Sequence, residues 1–568
     1  MPILRRVPFW SRVSAQSTRS WFVEVYPLSP LALTLAVSVL WVSFYNRRFW
    51  SEVWAASAPH SFSDALNIAV YGVVMTALYL VLLLPFINRI TVRPLLVVLT
   101  LVAAIVSYFS SGFGVYVDTH MVDNVLQTDT REAGEWLTPG LGWHVLVFGL
   151  IPGWLIARWP LHVTRWRYGI AHTLAWLLGA TAVLGVSVMF AFQGAAALLR
   201  NHHEIRYLIA PANAIVSTSR MMAQQLAVES EADTLIRRPV AEDAHLMGGP
   251  SSAPRLLVLV VGETARAANW GLSGYSRNTT PLLTQQAVIN FSDVSSCGTS
   301  TAVSLPCMFS LQNRRGFDAW DAAHEESILD VLERAGYDVR WVDNQSGCKG
   351  VCDGVTHLAT DPEEYPDRCR GEVCLDGVLV DVLQQQLRSM ARDTVLVLHM
   401  MGNHGPSYFR RYPAEFRAFM PTCDTADLAQ CSQQEIINAY DNALRYTDSV
   451  LNGLIDTLKQ QSPFPSALLY LSDHGESLGE HGVYLHGLPY AIAPTEQTRV
   501  PMVLWLSNAF QQATGVTNVC MAQHASLPYS HDDLVHTLMG LLGVQSGVYD
   551  PQRDMSRACN VGALNATT

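Results

Sequence analysis

Arg255-Leu-Leu-Val-Leu-Val-Val-Gly-Glu263 decides the fold. Its unbroken apolar run leaves no polar face, so a strand there is covered on both sides, as in a parallel sheet. Thr394–Met400 and Ser466–Ser472 repeat the pattern, and Val500–Leu506 reads as a further strand. Helical periodicity fills the intervals at Ser327–Ala335, Val378–Met390 and Gln433–Gln460. Alternating strands and helices predict an α/β sandwich with crossover connections. Ligands of such folds gather at the carboxyl ends of the strands. There the chain places Glu263, His404, Asp473 and His474.

That convergence predicts a metal site. Asp473 and His474 are neighbours, and within a strand they would point to opposite faces. They share one ion only from the turn after the strand, which Gly475 permits. Carboxylates with imidazole suit zinc, while the hard oxygens leave manganese open as the lesser fit. A nucleophile belongs beside the ion. Cys297-Gly-Thr-Ser-Thr-Ala-Val-Ser-Leu-Pro-Cys307 reads as a small disulfide loop with hydroxyls at Thr299, Ser300, Thr301 and Ser304. An alcohol needs a metal or a base to attack. The loop alone does not say which hydroxyl acts.

Outward from this core, the character of the chain changes. The first 200 of 568 residues hold apolar runs at Leu31–Tyr45, Ala65–Ile87, Leu95–Phe109, Trp143–Ala157 and Thr173–Phe192, read as five membrane spans. All ten cysteines lie later, from Cys297 to Cys559, which fits an oxidising compartment. The first 200 residues carry 13 Arg and no Lys against 8 acidic residues, a balance of +5. The rest carries 24 basic and 40 acidic residues, a balance of −16, which argues against nucleic acid as a partner. Arg5, Arg6, Arg12 and Arg19, then Arg89 and Arg93, then Arg158, Arg165 and Arg167 mark cytoplasmic segments, so five crossings put the C-terminal part outside. Arg47 and Arg48 run against the rule. A cleaved signal peptide is not expected. Residues 1–200 thus form a helical membrane domain, 201–254 a bridging amphipathic helix (through Met221, Met222, Leu226 and Leu235) and a linker (Arg237–Pro254), and 255–568 the soluble α/β domain.

The external loop between the third and fourth spans is crowded with polar residues. Asn124, Thr128 and Glu132 recur every four positions, which puts them on one face of a helix. That face is either a solvated surface or a polar shelf turned towards the soluble domain.

Glu263-Thr-Ala-Arg-Ala-Ala-Asn269, Cys297 through Ser310, Gly402-Asn-His-Gly-Pro-Ser407 and Ser472-Asp-His-Gly-Glu-Ser-Leu-Gly-Glu-His-Gly-Val-Tyr-Leu-His-Gly487 resemble the signatures of the lipid A phosphoethanolamine transferases. That family includes the colistin-resistance enzymes and has an alkaline phosphatase/sulfatase-like catalytic domain. The resemblance covers nearly the whole chain, the five spans and the Asn124–Glu132 loop included. By position it implies Glu263, Thr301, Asp473 and His474 as zinc ligands, with Thr301 as nucleophile. Ser346, Lys349, His404 and His486 match its substrate and second-metal residues, and Asn124, Thr128 and Glu132 match its membrane-loop substrate residues. One zinc is implied to bind tightly and a second more weakly. The implied reaction moves phosphoethanolamine from phosphatidylethanolamine to a lipid A phosphate through a phospho-threonine, with His404 or His486 protonating a leaving oxygen. The product masks surface negative charge and confers resistance to polymyxins and cationic peptides. The implied setting is a monomer among the lipids of a Gram-negative inner membrane, its catalytic domain in the periplasm. His481 has no implied role and reads as a surface histidine.

Proximity and the resemblance together pair Cys297–Cys307, Cys348–Cys352, Cys369–Cys374, Cys423–Cys431 and Cys520–Cys559; metal binding by Cys348 and Cys352 is the rival reading. Three other functions are weighed. A sulfatase needs Pro and Arg after its nucleophile, where this chain has Ala302 and Val303. A phosphoglycerol transferase of the lipoteichoic acid synthase type shares the spans and the threonine but not the cysteine density. A non-catalytic lipid receptor would not keep every ligand position. Acceptors other than lipid A, such as lipopolysaccharide core sugars or another periplasmic glycan, remain as the alternative.

Overall fold

The computed structural model describes residues 26–560 except 60, 129, 163–165, 232–236, 248–253 and 372. Arg5, Arg6, Arg12, Arg19, Arg165 and Leu235 lie outside the described residues.

The central sheet has seven strands: β1 (Leu256–Gly262), β2 (Ile289–Phe291), β3 (Asp338–Asp343), β4 (Thr356–Ala359), β5 (Thr394–His399), β6 (Ser466–Ser472) and β7 (Met502–Leu506). Their order is β2-β7-β6-β1-β5-β3-β4. From β6 to β4 every pair is parallel, whereas β7 runs antiparallel to both neighbours. The chain between β6 and β7 holds no helix longer than the four residues Thr495–Thr498, so it returns at the end where it left. β1 shows why its sequence is apolar throughout. Leu257, Leu259 and Val261 join one core and Leu256, Val258 and Val260 the other, so successive side chains serve opposite faces. Helices flank the sheet on both faces: the short α10 (Thr301–Met308) and α11 (Ile328–Arg334) on one, and α12 (Val378–Ser389) and the long α13 (Gln433–Gln461) on the other. Ser327 and Ser432 cap α11 and α13 with reciprocal side-chain bonds to Asp330 and Glu435.

The N-terminal part contains α1 (Pro30–Leu40), α2 (Arg47–Ser57), α3 (Phe62–Leu83), α4 (Val92–Phe113), α5 (Thr119–Gln127), α6 (Thr130–Glu135), α7 (Pro139–Arg158), α8 (Trp166–Asn201) and α9 (Ala212–Glu231). Among the described residues, four helices are long and apolar enough to cross a membrane: Asp64–Phe86, Val92–Phe113, Pro139–Arg158 and Gly169–Phe192. The first expected span is a shorter apolar helix, Pro30–Tyr45. Met189 and Phe190 are each 81% exposed on α8, an apolar face that suits lipid rather than water. Pro152 does not break α7. A wide π-type turn at Val145–Leu150 precedes it and absorbs the missing N–H.

The two parts interlock. Val483 and Leu488 of the soluble part are buried in the membrane-helix cluster, while Phe113 of α4 belongs to a core of the sheet. Arg48, the exception to the charge rule, pairs with Glu52 at 2.8 Å and lies against Gly482. Its charge is thus matched within α2 and it sits beside the soluble part. The stretch expected as a linker is docked over its described residues. Arg237 pairs with Asp330 at 3.0 Å, Ala241 and Ala244 are buried, and His245–Leu246 pairs with Val544–Gln545.

Candidate active site

Parallel pairing puts the end residues of β6 and β1 level, Ser472 opposite Gly262, so Asp473 and Glu263 leave the sheet side by side. Both are fully buried. Because β6 stops at Ser472, Asp473 and His474 lie in the following turn, as shared coordination requires. Gly475 serves this turn differently from expectation. Its φ is not positive; a Cβ there would lie 2.0 Å from the Glu496 carbonyl, so the glycine allows close backbone approach. A second glycine, Gly402 (φ +54), packs its backbone against Glu263, where a Cβ would stand 2.5 Å from the Glu263 carbonyl oxygen. Asp376 accepts the Met401 and Gly402 N–H groups at 2.8 Å each and fixes the turn leading to His404.

Thr301 does not sit in an open disulfide loop. It is the first residue of α10, and Cys307, the partner of Cys297, is inside the same helix. Its Oγ donates towards Glu263 Oε1 and Oε2, at 3.1 and 3.0 Å, and lies 3.3 Å from His474 Nε2. His474 Nδ1 bonds the Gly475 carbonyl at 2.8 Å, which leaves Nε2 aimed at the carboxylates. One ligand atom each from Glu263, Asp473 and His474 lie within 4.8 Å of one another.

The electrostatics of this cluster suit a cation. Burial opposes charge on Glu263, but the hydrogen bond and charge of His474 hold its carboxyl well below the usual range. Burial and then the Glu263 charge push Asp473 up to about 7. Burial works against charge on His474, yet Asp473 and Glu263 raise it to about 10. Asp473 Oδ1 accepts the Thr264 and His474 N–H groups, while its buried Oδ2 has no hydrogen-bond partner among the described residues and only the His474 ring nitrogen nearby, at 3.4 Å. Two carboxylates, one of them with this orphaned oxygen, an imidazole and a hydroxyl therefore fit a four-coordinate divalent ion such as zinc. The other two candidate groups, around Cys348–Cys352 and Cys520–Cys559, have their sulfurs tied in disulfides and offer no thiolate. All five expected disulfides form.

Beside the cluster, one cavity gathers Asn124, Thr128, Glu132, Thr301, Ser346, Lys349, His404 and His486, together with Gln127 and Gln345. The membrane-loop residues do not arrive on one helix face. Thr128 is extended and ends α5, its hydroxyl bonded to the Asn124 carbonyl, and α6 starts afresh at Thr130. The break itself turns all three towards the cavity. Glu132 Oε1 meets His404 Nε2 at 2.9 Å. Despite burial, His404 holds Glu132 down at about 2, and Glu132 with Glu263 raises His404 to about 9. Lys349 (φ +50) donates to the Gln127 carbonyl and to Ser346 O and Oγ, each at 3.3 Å. His486 Nδ1 is held by Glu476 Oε2 at 2.8 Å, and its ring lies 4.4 Å from that of His474. His481 is exposed.

Sequence reasoning overlooked four supports. Glu476 also accepts the Tyr408 hydroxyl; it lies inside a quoted motif, and its burial was the missing signal. His399 donates to Asp343 at 2.7 Å, and Asp343 accepts the Gly347 N–H, pinning the loop of Ser346 and Lys349. Gln345 donates to Glu263 at 3.4 Å. His531, which burial keeps neutral with its pKa lowered to about 3, accepts the Cys297 N–H and donates to the Ser472 carbonyl, both at 3.0 Å. It thereby ties the segment before Thr301 to the strand before Asp473.

Comparison with known proteins agrees with this architecture. Residues 74–226 match the family model described as phosphoethanolamine transferase EptA/EptB, and residues 255–544 match the sulfatase model. The chain is 40% identical to phosphoethanolamine transferase EptA of Escherichia coli (strain K12), covering 82% of this chain and 85% of that protein. It is 35% identical to phosphatidylethanolamine transferase Mcr-2 of Escherichia coli, over 94% and 98% of the two chains. The solved integral membrane lipooligosaccharide phosphoethanolamine transferase A of Neisseria meningitidis superposes with a TM-score of 0.89 at 35% identity, covering 94% of this chain and all of that one. With its membrane helices, sulfatase-like sheet and these relatives at near full length, the chain belongs to the EptA family of phosphoethanolamine transferases.

Proposed function

We propose that this protein transfers phosphoethanolamine from phosphatidylethanolamine to a lipid A phosphate, with Thr301 as the covalent way-station. The observation that carries this reading is the position of the Thr301 hydroxyl, 3.0 Å from Glu263 Oε2 and 3.3 Å from His474 Nε2, in a cavity also lined by Asn124, Thr128 and Glu132 of the membrane segment. Glu263, Asp473 and His474, with the Thr301 hydroxyl, would hold a zinc ion. Bound there, zinc would supply Lewis acidity that favours the alkoxide form of the hydroxyl.

In the first step Thr301 Oγ forms a bond to phosphorus and the bond to the glycerol oxygen breaks. Diacylglycerol leaves with a proton from His486, whose Nδ1 is fixed on Glu476 so that Nε2 faces the site. The His404 imidazolium, kept charged by Glu132, and Lys349 balance the phosphate charge, with Ser346, Asn124 and Thr128 orienting it. In the second step a hydroxyl of a lipid A phosphate attacks the same phosphorus and gives its proton to His486, while the bond to Thr301 Oγ breaks and restores the oxyanion with which the first step began. We further propose five membrane spans, Pro30–Tyr45 being the first, with residues 1–200 in the inner membrane of a Gram-negative cell, 201–254 bridging, and 255–568 a periplasmic catalytic domain. Polymyxin resistance follows from the added ammonium group.

The test is Thr301→Ala in full-length protein given a fluorescent phosphatidylethanolamine. The variant should insert and fold but release no labelled diacylglycerol and acquire no phosphoethanolamine adduct in intact mass spectra; retained turnover would overturn the reading. Mass spectrometry of lipid A from expressing cells decides the acceptor: modified core sugars with unmodified lipid A would reassign it.

A further inference from the structure

We propose that Glu135 and Arg411 are positioning residues for the transfer, coupling the seat of α6 to the location of the His404 imidazole. This rests on the His404 imidazolium balancing the phosphate charge, as proposed above.

Arg411 is buried, its side chain 4% exposed, at the seam between the membrane segment and the soluble part. Its guanidinium donates from Nε to the His404 carbonyl at 2.7 Å. From Nη2 it donates to Glu135 Oε2, also at 2.7 Å, and the Glu135 side chain is itself 10% exposed. Neither residue lines the cavity. Glu132 and Glu135 are three apart on α6, so they share a face. One meets the His404 ring directly; the other reaches its main chain through Arg411. The histidine is thus gripped at both ends from a single helical turn.

The chemistry of the contact favours positioning over simple adhesion. A guanidinium is a rigid planar fork, so fixing Nη2 on Glu135 fixes where Nε holds the His404 carbonyl. Adhesion alone would be served by Arg410, which approaches Glu135 at 3.8 Å from a largely exposed position. Arg411 gives its Nε–H to the backbone of the residue that faces the cavity.

The experiment uses full-length protein in phosphatidylethanolamine liposomes. Glu135→Gln and Arg411→Lys should each lower kcat for headgroup release at least 10-fold with KM changed less than threefold and an unaltered unfolding temperature. Arg410→Gln should stay at wild-type kinetics. In a His404→Gln background, Glu135→Gln should add no further loss, because both act through one group. Additive losses, a kcat that simply tracks the folded fraction, or wild-type kcat in both variants would overturn the proposal. If His404→Gln itself leaves kcat unchanged, the assignment of His404 fails instead.

Discussion

The Glu132–His404 pair should make docking of the membrane loop depend on pH. The imidazole sits at about 9, raised by Glu132 and Glu263 against burial and Arg411, while Glu132 sits at about 2. The rise of His404 to about 9 corresponds to at most about 3 kcal/mol, or a few hundredfold, in the docking equilibrium, because Glu263 of the soluble part supplies a share of it that docking does not change. The two shifts describe one interaction and are not added. The sign follows from each partner. The His404 contribution is complete below its unperturbed value of 6.5 and is lost as pH rises through about 9. The Glu132 contribution is complete above 4.5 and is lost as pH falls through about 2. Docking should therefore be flat between these limits and weaken on the alkaline side. Hydrogen exchange of the α5 and α6 amides, corrected for the intrinsic rate, reads this directly. Protection should fall by up to a few hundredfold between about pH 6.5 and 9.5. Glu132→Gln should start lower and fall much less, since only the Glu263 charge then raises His404. An equal alkaline fall in that variant would refute the reasoning, because something other than this pair would then hold the loop.

Three more outcomes are expected. Asp473→Asn or Glu263→Gln should weaken zinc binding by more than about 100-fold in a chelator competition while the circular dichroism spectrum persists; unchanged affinity would remove these residues from the ligand set. Gly402→Ala combines a positive φ with a Cβ 2.5 Å from the Glu263 carbonyl; it should cost more than about 2 kcal/mol in thermal unfolding and weaken zinc binding together, and a neutral result would mean the turn is pliable. His531→Ala leaves the Cys297 N–H and the Ser472 carbonyl buried without partners, so a loss of about 2–5 kcal/mol in denaturant unfolding is expected; a loss below about 1 kcal/mol would contradict the role of this imidazole as a tie.

What could be read from the chain follows from how local each signal is. β1, β5 and β6 were legible because burial on both faces writes an unbroken apolar run, and their ends located Glu263, Asp473 and His474. β3 escaped because Asp338, Arg340 and Asp343 break the run at the sheet's outer part, where one face is less covered. The antiparallel sense of β7 depends on the path of the intervening chain, which no residue in Met502–Leu506 encodes. α10 was read as a loop because Pro306 and two cysteines mask a short helix. The spacing of Asn124, Thr128 and Glu132 picked out residues that line one cavity, but not from one helix face, since Thr128 is where the helix stops. Arg411 and His531 act through contacts 276 and 234 positions away, and such partnerships leave no local trace.

The five disulfides join cysteines strictly in order of appearance, each to the next along the chain. For a polypeptide threaded through a translocation channel from its N-terminus, every thiol that waits unpaired meets its correct partner as the very next thiol to emerge. A simple oxidant acting in step with export then suffices to reach the native pattern, with no shuffling by an isomerase.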